Sequence, residues 1–184
     1  MNATLDVAEL ATPVGLITLA VRDERLIALC FEGGWERKRR ALERRLGPCR
    51  LRRAKDPAAV VTRLRRYFDG ELTALADIDV ELHGTVFQLQ VWKQLRQIGP
   101  GQTRSYGEVA RAIGAPTAVR AVGTANGANP VAIVVPCHRV IGSNGSLTGF
   151  GGGLPNKRWL LDHEAAQLAV FEAARRSRQP GRAA

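Results

Sequence analysis

Three adjacent residues carry the strongest chemical signal in this chain: Cys137, His138 and Arg139, directly after Pro136. A thiolate is a potent nucleophile, and histidine is the side chain whose proton affinity best suits a base near neutral pH. The preceding run, Ile133-Val134-Val135, is branched and apolar, which predicts a buried strand ended by the proline. A cysteine placed where a strand leaves the core is held rigidly and can still be reached. A lone cysteine is more often a small structural core residue; the adjoining histidine and arginine favour the nucleophile here.

Adjacency itself works against a direct thiol–imidazole pair, because consecutive side chains of an extended chain point to opposite faces. His138 must then reach the sulfur through a turn or a bridging water. A histidine base also gains from a carboxylate that fixes its tautomer. Asp162 and Glu164 flank His163 in the last helical segment, and spacing does not choose between them. The fate of the sulfur adduct separates the possible reactions. An acyl-cysteine is a thioester that hydrolyses and turns over, whereas an alkyl-cysteine is a thioether that water does not cleave, so its protein acts once.

The elements that must position these groups fall into two parts. Short apolar runs at 15–21 and 25–31 predict strands joined by a tight hairpin at Asp23-Glu24. Residues 35–46 suit a helix with Trp35, Leu42 and Leu46 on its apolar side, stopped by Gly47-Pro48. Its arginines, with Arg50, Arg52, Arg53 and Lys55 after it, read as a solvated face rather than a nucleic-acid patch, because Glu36 and Glu43 dilute them. Asp56-Pro57 opens a second helix with Val60, Val61, Leu64 and Phe68 as its buried stripe. The expected organisation is an α/β domain over 1–80, a mainly helical domain over 81–170 and a disordered basic tail over 171–184.

In the second part, Thr85 caps a helix with Phe87, Val91, Leu95 and Ile98 at helical spacing. Ser105 and Glu108 form a capping-box signal for a helix from Tyr106 to Ile113. Gly114-Ala115-Pro116 makes a short turn, and a further helix runs from about Thr117 to Ala128, a helix-turn-helix pattern. That last helix should bury Ala118, Val122 and Ala125 and expose Arg120, Gly123, Thr124 and Gly127. Each interior glycine costs about 1 kcal/mol against alanine, which suggests that something approaches the backbone closely. The alternative, a small-residue helix contact beside a solvated Arg120, carries equal weight. A glycine-rich loop over 142–153 follows the cysteine and lacks the Gly-Lys-Ser/Thr ending of a phosphate-binding loop. Leu154 to about Val170 is the final helix.

Composition narrows the class. The chain has 184 residues, 45% hydrophobic, and a net charge of +10 carried mostly by arginine, so an anionic partner such as nucleic acid fits. Cys30, Cys49 and Cys137 are odd in number and far apart, neither a disulfide framework nor a zinc pattern. That suits a reducing compartment, and a cytoplasmic location is expected. The first ten residues carry Asp6 and Glu9 and lack the apolar stretch of a signal peptide, and no run is long enough to span a membrane.

At Pro136-Cys-His-Arg-Val140 the sequence resembles the O6-alkylguanine-DNA alkyltransferases, also called methylated-DNA–protein-cysteine methyltransferases. The likeness extends through Val91-Trp92, Thr103-Arg-Ser-Tyr106-Gly-Glu, Arg120-Ala-Val-Gly123, Asn129-Pro130, Gly149-Phe-Gly-Gly-Gly153 and Trp159-Leu-Leu-Asp-His-Glu164, in order over roughly residues 85–164. It implies a ribonuclease-H-like α/β N-terminal domain and a mainly α C-terminal domain with a helix-turn-helix. It further implies direct-reversal repair of double-stranded DNA, with Cys137 taking the alkyl group of a flipped O6-alkylguanine once and irreversibly. O4-alkylthymine is a second candidate lesion.

The resemblance assigns His138 as a base acting through water and Glu164 as its orienting carboxylate. Tyr106 becomes the proton donor to guanine, and Arg120 fills the gap left by the flipped base. The backbone at Cys137, Val140 and Gly151 would hold the base, Ser105 and Thr124 would meet DNA, and Asn129 would be a buried hinge. No cofactor or metal is implied, and the expected state is a monomer in solution, with cooperativity on DNA left open. Two departures stand out: Ile98-Gly99-Pro100-Gly101 differs from the usual Ile-Pro-x-Gly, and Phe150 replaces a common tyrosine. Family relatives that bind lesions without repair carry tryptophan at the cysteine position, which Cys137 excludes. A regulator with a structural cysteine and a cysteine hydrolase are the competing classes.

Overall fold

A computed structural model describes residues 3–177. Its N-terminal half is built on a four-stranded sheet. Strands β1 (Ala3–Thr12), β2 (Gly15–Arg22) and β3 (Arg25–Phe31) form an antiparallel meander. Asp23 and Glu24 both take left-handed backbone angles (φ 47° and 62°), the geometry a two-residue hairpin turn needs. Helix α1 (Trp35–Leu46) then crosses the sheet and returns as β4 (Cys49–Arg53), parallel to β1, giving the order β3-β2-β1-β4. Arg50, Arg52 and Arg53, expected as part of a solvated basic stretch, thus lie in an edge strand. Their side chains are exposed, so solvation and strand coexist.

Alternation along the strands feeds two cores. Leu5, Ala20, Ile27 and Ala28 meet Leu42 of α1 on one face, and Leu46 and Trp35 pack at its margin. Ile17, Leu19, Val21, Leu26 and Leu29 join the main core on the other face. There they meet Val60, Val61, Leu64 and Tyr67 of α2 (Val60–Phe68). Asp56 caps α2 across an intervening 3-10 turn at Pro57–Ala59, accepting from the Val61 N–H at 2.7 Å.

The C-terminal half holds α3 (Val86–Leu95), β5 (Arg104–Ser105), α4 (Tyr106–Ala112), α5 (Val119–Gly127), β6 (Val140–Ile141) and α6 (Leu154–Ser177). The predicted capping box of Ser105 with Glu108 forms, and the predicted Thr85 cap closes a second box with Gln88. Helix α4 ends in a Schellman motif: Gly114 has φ 73°, its N–H reaches the Arg111 carbonyl, and the Ala115 N–H reaches that of Ala110. Val122 and Ala125 are buried as the helical face predicts, while Ala118, expected with them, is half-buried at the helix start and Val119 on its flank is exposed. Buried Trp92 of α3 donates its indole N–H to the Ala125 carbonyl at 2.8 Å, fastening α5 to the bundle. Helix α6 continues through Ser177, into the segment expected as a tail from residue 171. The rest of that tail, 178–184, lies outside the described residues.

The two halves share the main core and are joined by hydrogen bonds. The Leu29 N–H of β3 donates to the Pro130 carbonyl at 2.9 Å, and the Ala132 N–H returns a bond to the Leu29 carbonyl at 3.3 Å. This corrects the expectation for residues 133–135. They are buried, yet they are not a regular strand. Single bridges link Leu29 to Val131 and Ala132 to Val135, and between them Ile133 adopts φ 69°. A β-branched residue in that region is costly, by roughly 1–3 kcal/mol, and persists only where packing fixes it. Ile133 is 1% exposed.

Candidate active site

The tight loop at 131–135 delivers Cys137, His138 and Arg139 into a single 3-10 turn. In that turn neighbouring side chains diverge by about 120° instead of alternating, so His138 does not point to the face opposite the thiol. All three residues are buried, His138 completely.

Glu164 comes from α6 and is also completely buried. Its Oε1 accepts from His138 Nε2 at 3.0 Å, from the Tyr67 hydroxyl at 2.8 Å and from Arg139 at 2.7 Å. Its Oε2 accepts from Arg139 Nε at 3.0 Å and from the Gly101 N–H at 2.9 Å. Asp162, the other carboxylate offered by the sequence, is exposed and takes no part. Burial alone would raise the Glu164 pKa; the donors on His138 and Arg139 outweigh it and hold the group well below the usual carboxylate range. Glu164 is therefore an anion. It accepts, so His138 carries its proton on Nε2 and presents an unprotonated Nδ1. That Nδ1 is buried and has no protein partner among the described residues. Burial pushes the His138 pKa down, with Glu164 opposing, so the imidazole is neutral and ready to accept a proton. Burial likewise raises the Cys137 pKa, opposed by the Asn129 side chain, Lys38 and Lys157.

Asn129 ties the helix-turn-helix to this turn. Its Nδ2 donates to the Val135 carbonyl at 2.7 Å and its Oδ1 accepts from the Val131 N–H at 3.0 Å. Asn126, which sequence reasoning missed, adds a bond from α5 to the Cys137 carbonyl at 3.3 Å. Lys157 was missed as well. It is completely buried, donates to the carbonyls of Val140 (2.6 Å) and Thr148 (2.7 Å), and sits 5.9 Å from the centre of the Tyr106 ring. An Asn-Lys pair opening a helix carries no signal for this role, since lysine there reads as solvated. Tyr106 donates to the Thr148 carbonyl at 3.2 Å and packs near Gly123, where an added Cβ would stand 3.9 Å from its ring.

The remaining sequence candidates lie outside this cluster. Arg120 and Thr124 are exposed on α5, and Arg120 forms no salt bridge among the described residues. Ser105 is committed to capping α4. Gly151 is exposed on the glycine loop and borders, with Cys137, a cavity of about 40 Å³. That is room for a few water-sized groups and less than a purine. Phe31 is one contact of the loop over 142–153, beside the bonds of Lys157 and Tyr106 to Thr148: it packs edge-on to Phe150 at 5.3 Å and lies where a Gly152 side chain would stand.

Fold and site together define a class: a cysteine in a buried turn, next to a buried histidine–carboxylate pair and tied through asparagines to a helix-turn-helix. Comparison with known proteins gives the same answer. Residues 86–166 match the 6-O-methylguanine DNA methyltransferase DNA-binding domain, and residues 8–82 match that family's ribonuclease-like domain. The methylated-DNA–protein-cysteine methyltransferase of Mycolicibacterium paratuberculosis is 48% identical over 168 residues, 88% of this chain and 95% of that protein. That of Mycobacterium tuberculosis H37Rv is 49% identical over the same shares. The crystal structure of the M. tuberculosis O6-methylguanine methyltransferase superposes with TM-score 0.76 at 42% identity, covering 91% of this chain and 99% of that one. The same protein solved in complex with DNA gives the same values. This chain belongs to the 6-O-methylguanine DNA methyltransferase family.

Proposed function

We propose that this protein repairs DNA by direct reversal, moving the alkyl group of an O6-alkylguanine onto Cys137. The observation that carries the reading is the buried His138–Glu164 pair, in which His138 donates from Nε2 and its Nδ1 has no protein partner among the described residues. In this reading Nδ1 takes the Cys137 proton through a water, and the thiolate displaces guanine from the alkyl carbon in line. The C–S bond forms as the C–O bond breaks, and the electron pair passes to the guanine, which Tyr106 relieves by donating a proton. The product is a thioether, so each molecule acts once.

The lesion reaches the site by leaving the duplex, because an alkylated base inside the stack cannot approach a buried sulfur. Exposed Arg120 on α5 fills the space it leaves, with Thr124 and Ser105 at the DNA surface and the backbone at Cys137, Val140 and Gly151 holding the base. The Val140 carbonyl already accepts from Lys157, and its second lone pair serves the base. The net charge of +10 supplies sequence-independent phosphate attraction. O4-alkylthymine offers the same alkyl–oxygen bond and is a further substrate of this reading. The protein acts as a monomer, and a thiol acceptor fits the reducing cytoplasm.

The test is incubation with duplex DNA bearing a radiolabelled O6-methylguanine. One methyl per protein, mapped to position 137 and lost in Cys137→Ala, is the expected result. Label that never becomes protein-bound, or release that continues beyond one equivalent, rejects the reading.

A further inference from the structure

One charged side chain near Cys137 comes from the opposite half of the chain. Lys38 lies on α1, and its Nζ donates to the Asn129 carbonyl at 2.5 Å. That carbonyl belongs to the hinge residue whose side chain already holds Val131 and Val135, so the lysine completes the bracing of the active-site turn. Lys38 also borders the same small cavity as Cys137, together with Cys30, Arg37, Asn126 and Asn129. Among the described residues it forms no salt bridge. A partly buried ammonium without a carboxylate is expensive unless another anion offsets it. The groups around it that become anionic are thiols.

We infer that Lys38 is a positioning residue for alkyl transfer: it braces the Asn129 hinge and supplies the positive charge that favours the Cys137 thiolate. The inference rests on Cys137 being the acceptor. The ionisation of the lysine agrees with it. Burial pushes the Lys38 pKa down to about 8, with the Cys30 and Cys137 charges opposing that fall and Arg37 adding to it. In return Lys38 lowers the Cys137 pKa against the effect of burial. The other charged or titratable groups around this thiol are Lys157 from α6, Cys30 from β3, Arg37 from α1, and His138 with Arg139 and Glu164 behind it. None of these except Lys38 also bonds the hinge.

The role divides the labour between the halves. The C-terminal half carries nucleophile, base and orienting carboxylate, and the N-terminal half contributes the cation that makes the nucleophile ionise. It also gives the hydrogen bonds from Leu29 to Pro130 and from Ala132 to Leu29 a purpose, since they hold β3 and the start of α1 against the turn.

The test compares wild type with Lys38→Met and Lys38→Arg in the full chain. Single-turnover methyl transfer from saturating O6-methylguanine duplex is followed across pH 6–9, with rate constants normalised to the active fraction so that misfolded protein lowers amplitude only. Iodoacetamide labelling of Cys137, read by peptide mapping, reports the thiol's titration without the substrate. For Lys38→Met we expect both profiles to move up by about one pH unit and the rate at pH 7 to fall about tenfold; Lys38→Arg restores both. Profiles that superimpose on wild type, even with a uniformly slower rate, overturn the inference, as does a Lys38→Arg profile displaced as far as that of Lys38→Met. If wild type takes no methyl onto Cys137, the reading of the site fails instead, and the iodoacetamide profiles still judge Lys38.

Discussion

Replacing Glu164 by glutamine keeps the volume and removes the charge on which the site's hydrogen bonds converge. The carboxylate is completely buried and receives Tyr67, His138, Arg139 and the Gly101 N–H. With an amide in its place, Arg139 becomes a buried cation without an anion, and one of its N–H groups faces the new NH2. Breaking a buried pair in this way costs about 3–5 kcal/mol. For a chain of this size that corresponds to roughly 6–20 °C in melting temperature. Asp162→Asn, two residues away on the exposed side, should change stability by less than about 0.5 kcal/mol and serves as the control.

The pH dependence carries a second check. Glu164 has its folded pKa depressed, so its stabilisation is complete above the unfolded carboxylate value of about 4.3 and is lost as pH falls further. The gap between wild type and Glu164→Gln should therefore stay constant from pH 7 to 8, widen somewhat toward pH 6 as loss of Glu164 lowers the His138 pKa further, and narrow once acid protonates the unfolded-state carboxylate. Urea titrations followed by circular dichroism measure both. A loss below about 1 kcal/mol at pH 7, or one no larger than that of Asp162→Asn, would refute the argument that this carboxylate anchors the site.

Three further outcomes follow from the same geometry. Asn129→Ala leaves the Val131 N–H buried without a partner, while the Val135 carbonyl keeps its bond from the Cys137 N–H, so chemical denaturation should show a loss of about 1–3 kcal/mol; a loss under about 0.5 kcal/mol would mean that water replaces the hinge. His138 has its folded pKa lowered beneath the unfolded value near 6.5, so the unfolded state binds the extra proton. Its contribution is present above that pH and is lost on acidification, and removing it in His138→Gln should flatten the stability profile between pH 7 and 5; an unchanged slope would assign the wrong charge state. Arg120→Ala should weaken repair in duplex DNA about tenfold or more and leave reaction with free O6-benzylguanine within about twofold, whereas equal losses on both would remove the gap-filling role.

How much of this was legible in the sequence depends on the range of the interaction. Local signals were read well. The hairpin at Asp23-Glu24, the Thr85 cap, the Ser105–Glu108 capping box, the turn at Gly114 and the buried Val122 and Ala125 of α5 each depend on residues within a few positions of one another. The apolar run before Pro136 was read as a strand because period and composition cannot distinguish a ladder from a buried loop whose hydrogen bonds are made elsewhere. Its bonds go to Val131, Ala132, Asn129 and Cys137 within the loop, only the flanking Pro130 and Ala132 reaching Leu29 about a hundred residues back, and Ile133 keeps its left-handed angle where it is buried. Basic β4 escaped for a related reason: an edge strand buries little, so its side chains carry no alternating pattern.

The same limit explains which site residues were missed. Cys137 and His138 announce themselves by adjacency, but the choice of Glu164 over Asp162 depends on the facing of α6, which a helix with an irregular apolar pattern does not reveal. Tyr67, Asn126, Lys38 and Lys157 gain their meaning only from partners far away in sequence. Lysine is the extreme case, since its usual place is in solvent and nothing local marks the exceptions. A thiol buried at a turn must be activated by charge brought from elsewhere. The residues that bring it are therefore the ones whose sequence context looks most ordinary, and they are found by asking which buried cations lack a carboxylate.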